Sequence, residues 1–361
     1  MAQFPDDSMT KVAMIPGDGV GPEVMTEAGK LLEAVNNAYS LDFELVEFDL
    51  GADHFLHTGI ALPESVIDTL KNDISAILMG PLGDPRVLND QHARGILRGL
   101  IQEFDLFAGL RRVKLLFSEL CPLAGKSEQD INLVLIWETK GGVYTDVGGT
   151  LEKGTRHEIV VEQEVSTRRR VEQVLRFAFD YAIKNGHSRI TIARKSKDYF
   201  YGYDLWLRTF LTIKEEFSEI SASHLQIETL IQQIIDTPEQ FDIIVTNHLF
   251  GSILSGLGTA LQGGQGLVAS VNLCPGKIGL FRPLHPSSTK YAGKDYANPI
   301  AAMLCVQALM EFRGLMKVSK AIESSIKKAL KSGWVTRDLG GSMGTREVGS
   351  YVCSALMDTV S

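Results

Sequence analysis

The sequence is short of several things, and each shortage removes a class of protein. Cysteine occurs four times in 361 residues, at Cys121, Cys274, Cys305 and Cys353, widely spaced and never as C-x-x-C. That pattern offers neither a disulfide framework nor a thiolate metal site, and it implies buried free thiols in a reducing compartment. No stretch reaches the roughly 18 apolar residues of a membrane span, so no membrane partner is expected. The opening MAQFPDDSMTK is polar and acidic, without the apolar core of a secretory signal, which makes a cytoplasmic protein the expectation. A basic surplus is missing as well: the formal net charge is -8 with both signs interspersed, against a dedicated nucleic-acid binder. The dinucleotide fingerprint G-x-G-x-x-G is also absent.

What is present is apolar material in short runs. Hydrophobic residues make up 44% of the chain, enough at this length to bury two moderate cores. Apolar strands are expected at Lys11–Ile15, Phe43–Phe48, Ile74–Met79, Leu133–Trp137, Arg189–Ala193 and Phe241–Thr246, with helices alternating between several of them. That alternation calls for an α/β architecture with mostly parallel sheets and crossover helices. Thr167–Asn185 has the pattern of an amphipathic helix stopped at Asn185-Gly186, and Ile300–Lys317 reads as one long apolar helix. Gly148–Val165 reads as two short strands around Lys153-Gly154. A two-stranded ribbon is marginal alone in water and calls for something to pair with.

Several turns carry chemistry-bearing residues: PGDGVGPEV at 16–24, ETKGGVY at 138–144, RKSK at 194–197, TNHLFGSILSG at 246–256 and LHPSSTKYAGKDYANP at 284–299. Taken alone, the glycines of the first allow a tight turn, and Tyr144 after Gly141-Gly142 reads equally as structural or catalytic. The Phe241–Leu261 stretch is a strand that breaks into a helix through a polar elbow, the place where open α/β sheets put ligands.

From Lys11 to Val352 these motifs resemble the metal-dependent β-decarboxylating dehydrogenases, the isopropylmalate, isocitrate and tartrate dehydrogenases. The resemblance implies their two-domain fold, here residues 1–106 plus 268–361 on the nucleotide side and 107–267 as a second domain. It implies that the hairpin at about 140–165 is a clasp between subunits, so that a homodimer is expected, or pairing with a catalytic paralogue. It also implies NAD or NADP, Mg²⁺ or Mn²⁺, a small carboxylic acid as ligand, and oxidative decarboxylation of a 2-hydroxy acid. Carried over by motif, Lys195 and Tyr144 are the catalytic base and acid, and Arg111 meets a substrate carboxylate. His285, Lys290, Tyr291 and Asn298 bind the nucleotide, Lys290-Tyr291 in the form found with NADP. Glu228 stands at the position of the metal-binding aspartate that the neighbouring subunit contributes.

The departures from the family text share a direction. Where the family writes TENMFGDILSD, the two aspartates that hold the metal are Ser252 and Gly256. Two substrate arginines have become Ile101 and Trp137, an acid has become Arg194, an asparagine Lys197, a glutamate Arg282 and a loop glycine Pro286. Three readings follow: a weak dehydrogenase with a recruited ligand set, a noncatalytic binding or regulatory member, and a metal-independent enzyme acting on a more apolar acid.

Overall fold

A computed structural model describes residues 10–195 and 201–359. The chain forms two compact units, Met1–Leu106 with Leu116–Leu120 and Gln262–Ser361, and Phe107–Leu115 with Cys121–Leu261.

The first unit begins with β1 (Thr10–Ile15), α1 (Gly21–Tyr39), β2 (Phe43–Glu47), α2 (Ala52–Thr58), α3 (Glu64–Asp73), β3 (Ala76–Met79) and α4 (Gln91–Glu103). The second unit carries β4 (Ala108–Lys114), β5 (Asn132–Glu138), the ribbon β6 (Gly148–Leu151) and β7 (Ile159–Glu162), α5 (Arg168–Asn185), β8 (Arg189–Arg194), α6 (Tyr201–Lys214), β9 (Ser221–Gln226), α7 (Ile227–Asp236), β10 (Ile243–Thr246) and α8 (His248–Leu261). The chain then returns to the first unit with β11 (Ala269–Cys274), β12 (Ile278–Pro283), α9 (Ile300–Phe312), α10 (Met316–Lys331) and α11 (Thr345–Asp358).

In the first unit the strand order is β2-β1-β3-β12-β11, parallel except for the β11–β12 hairpin. In the second it is β4-β5-β10-β8-β9, parallel except for β4 against β5. Strands covered on both faces must be apolar throughout, which is why Ala76–Met79 and Ile243–Thr246 are buried at every residue. The first unit's core centres on α9, whose residues Ile300 to Gln307 are all buried. Each large aliphatic side chain fully buried in such a core contributes about 1.5–3 kcal/mol.

Two local features differ from the sequence reading, which has one helix over Ile300–Lys317 and a single return strand over Leu267–Asn272. The long helix expected over 300–317 breaks, because Gly314 takes φ +80° and ends α9 before α10 begins at Met316. The stretch after Leu267 is a hairpin of two strands, turned at Gly276 with φ +74°. The ribbon turn sits where expected, with Gly154 at φ +81°, and Leu151, Ile159, Val160 and Val161 stand exposed on it.

Candidate functional site

In the first unit a cavity of about 870 Å³ opens beside the loop that follows β12, with Val20, His285, Tyr291, Lys294, Asn298 and Arg337 in its wall. The glycine turn at 16–21 reaches this wall because two of its residues have no side chain. A Cβ on Gly19 would lie 2.1 Å from the Ser287 carbonyl oxygen, and one on Gly17 would lie 2.4 Å from that of Pro81. Both glycines also take positive φ, +78° at Gly17 and +58° at Gly19. The loop is held from the other side by Glu23, whose carboxylate accepts from the Gly293 and Asp295 amides.

The chemistry of the wall follows from its hydrogen bonds. His285 Nδ1 lies 3.0 Å from the Pro286 carbonyl, which can only accept, so the proton sits on Nδ1. Its Nε2 is then an acceptor, buried and without a partner among the described residues. Burial holds the imidazole below its usual pKa, in the neutral form. Asn298 donates to Asp338 at 3.0 Å and accepts from the Ile300 amide at the start of α9 at 3.0 Å. Asp338 is further engaged by the Thr336 hydroxyl at 2.5 Å. Arg337 lies 4.6 Å over the Tyr296 ring, and Lys290 lies 4.7 Å over the Tyr291 ring. Of the four nucleotide residues read from the sequence, His285, Tyr291 and Asn298 line the cavity, while exposed Lys290 sits on the outer side of Tyr291. The wall therefore offers a volume, a buried acceptor, two tilted tyrosine rings and cations.

The second unit is built differently. Trp137 on β5 lies directly opposite Gly109 on β4, and its ring fills the space that a side chain there would need. A Cβ on Gly109 would lie 2.2 Å from Trp137 Cε2, and one on Gly251 of α8 would lie 2.5 Å from Trp137 Cβ. Arg111 is 2% exposed, with its guanidinium carbon 5.7 Å from the centroid of the Trp137 ring. Tyr144 is 43% exposed, and its ring is centred 4.1 Å from that of His248, the first residue of α8. Nearby, Glu138 accepts from the Lys140 amide at 2.6 Å, and burial pushes its carboxyl above the ordinary range.

Lys195, at the end of β8, forms an ion pair with Glu228 in the first turn of α7. Arg194 donates to the Lys195 carbonyl at 2.9 Å and lies 3.3 Å from His224 Nδ1. Burial, and then Arg194, hold His224 below its usual pKa. Lys197 lies outside the described residues. On α8, the Ser252 hydroxyl donates to the His248 carbonyl one turn back at 3.1 Å, and a Cβ on Gly256 would meet nothing within 4 Å.

A hard divalent cation needs several anionic oxygens in one shell. Here one position offers a hydroxyl already bonded to backbone, one offers no side chain, and the remaining carboxylate is neutralised by a lysine. Among the described residues no group of three or more His, Cys, Asp or Glu is arranged to hold a metal. Ser252, Gly256 and Glu228 of one chain do not by themselves supply that shell.

The sequence reading missed a polar knot beneath α8. Asn247 donates to Glu164 at 2.6 Å and lies 3.1 Å from the Tyr203 hydroxyl, while its own oxygen caps the Phe250 amide at 3.0 Å. Burial, followed by the Glu164 charge, pushes Tyr203 up to about 12. The polar elbow before an apolar helix was the available signal; the partners come from distant segments.

Comparison with known proteins agrees with this geometry. The family model described as isocitrate/isopropylmalate dehydrogenase matches residues 11–352. A 3-isopropylmalate dehydrogenase of Thermobifida fusca is 34% identical over 350 residues, covering 96% of this chain and 98% of that protein. The decarboxylating D-malate dehydrogenase of Escherichia coli is 32% identical over 357 residues, with 96% and 98% covered. Among solved structures, an isocitrate dehydrogenase from Methylococcus capsulatus superposes with a TM-score of 0.83 at 26% identity, covering 97% of this chain and 100% of that one. A β-decarboxylating dehydrogenase from Thermococcus kodakarensis gives a TM-score of 0.79 at 28% identity, with 97% of both chains covered. On this match across nearly its whole length, the chain belongs to the isocitrate/isopropylmalate dehydrogenase family.

Proposed function

We propose that this protein is a ligand-binding member of its family that holds a nicotinamide dinucleotide and a small carboxylic acid, and that has given up divalent-metal-dependent oxidative decarboxylation. One observation carries the reading. Glu228, the surviving metal-ligand position, is paired with Lys195, the family's base, while Ser252 and Gly256 supply no carboxylate. Metal stabilisation of an enolate contributes several kcal/mol, and about 1.4 kcal/mol is a factor of ten in rate. Losing two of the ligands costs at least about three orders of magnitude in the family reaction.

The nucleotide half of the reading rests on the cavity of the first unit. A bound dinucleotide would supply a hydride acceptor. The chain's own part is to hold it: His285 Nε2 accepts from a ribose hydroxyl or an exocyclic amine, and Tyr291 and Tyr296 flank it. A free carboxylate in such a wall would select the unphosphorylated ribose, whereas cations select the 2′-phosphate. Asp338 is already engaged twice, and Lys294 and Arg337 are the cations present, which favours NADP(H). Tyr144 and Lys195, both solvent-accessible, with Arg111 beside Trp137, are the groups proposed to meet the acid. A second copy of the chain is proposed to cover the exposed apolar ribbon of β6 and β7.

The test is a paired assay. NADPH should raise the melting temperature with or without Mn²⁺, while 3-isopropylmalate or D-malate with NAD(P)⁺ and Mn²⁺ yields no reduced nucleotide above about a thousandth of a family enzyme's rate. Turnover at ordinary rates, whether or not a chelator stops it, contradicts the proposal.

A further inference from the structure

The first unit also contains a buried pair that the nucleotide wall depends on without touching the cavity. Asp18, in the glycine turn, receives three hydrogen bonds: from the Ala52 amide at 2.7 Å, the Gly83 amide at 2.7 Å and His92 Nε2 at 2.8 Å. His92, on α4, is 0% exposed, and among the described residues its Nδ1 has no hydrogen-bond partner, so the bond to Asp18 is its one hydrogen bond there. Gly83 in turn accepts the Ser287 hydroxyl at 2.6 Å, and the Ser287 carbonyl accepts the Val20 amide at 2.7 Å. Val20, with Pro286 and Ser288 on either side of Ser287, lines the cavity. A continuous run of short contacts therefore leads from α4 through Asp18 and Gly83 to the cavity wall.

The entrance to α4 is held against its own preference. Asn89 and Asp90 are consecutive non-glycine residues at φ +52° and +50°. Asn and Asp tolerate the left-handed region singly, but two in succession persist where the surroundings fix them. Asp90 accepts from the Asp84 amide at 3.3 Å, and Arg94 holds the Asn89 carbonyl at 2.9 Å. His92, two residues further on, anchors this segment to Asp18.

We propose that His92 and Asp18 form a positioning pair that sets nucleotide affinity from outside the cavity, by fixing the glycine turn and the Gly83 carbonyl from which Ser287 hangs. The inference rests on the nucleotide reading of the cavity, and the experiment separates the two. His92→Leu removes the donor, His92→Gln keeps an N–H near the place of Nε2, and Leu70→Ala, in the fully buried core of α3, serves as a destabilised control.

Two readouts are taken on the full chain: NADPH titration, and amide hydrogen exchange at Val20 and Gly83 without nucleotide. The expected result is NADPH binding weakened at least about tenfold in His92→Leu, restored to within about threefold in His92→Gln and unchanged in Leu70→Ala. Faster exchange at the two amides should appear in His92→Leu alone. Unchanged binding and exchange in His92→Leu, or equal weakening in Leu70→Ala, overturns the proposal. If the wild-type protein binds no NADPH, the reading of the cavity is what fails, and exchange alone decides the pair: selective loss of protection supports it, and equal protection overturns it.

Discussion

The two units treat their inheritance differently. In the first, His285, Tyr291 and Asn298 gather around one cavity with Lys294 and Arg337. In the second, the Ser252 hydroxyl bonds back to its own helix, Gly256 has no side chain and Glu228 pairs with Lys195. On the proposed reading, the difference teaches that a charged site is dismantled as a set. Removing a cation and leaving its carboxylates would strand buried or half-buried anions, whereas removing both avoids that cost. Trp137 fits where it stands because Gly109 and Gly251 make room for its ring.

That contrast can be broken most forcefully at α8. Ser252→Asp with Gly256→Asp sets two carboxylates one turn apart on an exposed face, where the second meets open space. Calorimetry should register a gain of about a hundredfold or more in Mn²⁺ affinity; no gain would mean that the face no longer belongs to a metal site. A smaller effect is expected from filling Gly109. Gly109→Ala drives a methyl group into Trp137 and should lower unfolding stability by about 1–3 kcal/mol in urea. Gly256→Ala, with no neighbour to meet, should be neutral or stabilise by up to about 1 kcal/mol. Equal effects from the two would remove the packing explanation for Trp137.

The smallest effect is one of pH, and it belongs to the first unit. Burial holds His285 below its ordinary value of 6.5, so the folded chain binds fewer protons there than the unfolded one. Its contribution to stability is fully present above that value and is lost as pH falls below it. The melting temperature should therefore drop more steeply between about pH 7 and pH 5 in the wild type than in His285→Gln. Identical slopes would place His285 in an open, water-like setting.

Much of the fold was legible because its fully buried strands, such as β3 and β10, are short apolar runs and several helices begin or end at proline, glycine and polar turns. The α9–α10 break was not legible, since Gly314 stops a helix only through the φ it adopts. In the site, single substitutions such as Ser252 and Gly256 stood out in their motif, but compensations did not. Trp137 and Gly109 meet only through strand pairing, and His92 meets Asp18 across 74 residues of sequence. The contact of Lys195 with Glu228 likewise joins β8 to α7, and no local pattern announces it.

The central claim is that the chain of the second unit no longer offers a home to a divalent cation. Titration of the wild-type protein with Mn²⁺ by calorimetry, in the presence of NADPH and D-malate, tests it directly. The account predicts no saturable binding up to about millimolar Mn²⁺, with the same result in Glu228→Gln. Stoichiometric micromolar binding that disappears in Glu228→Gln would contradict it.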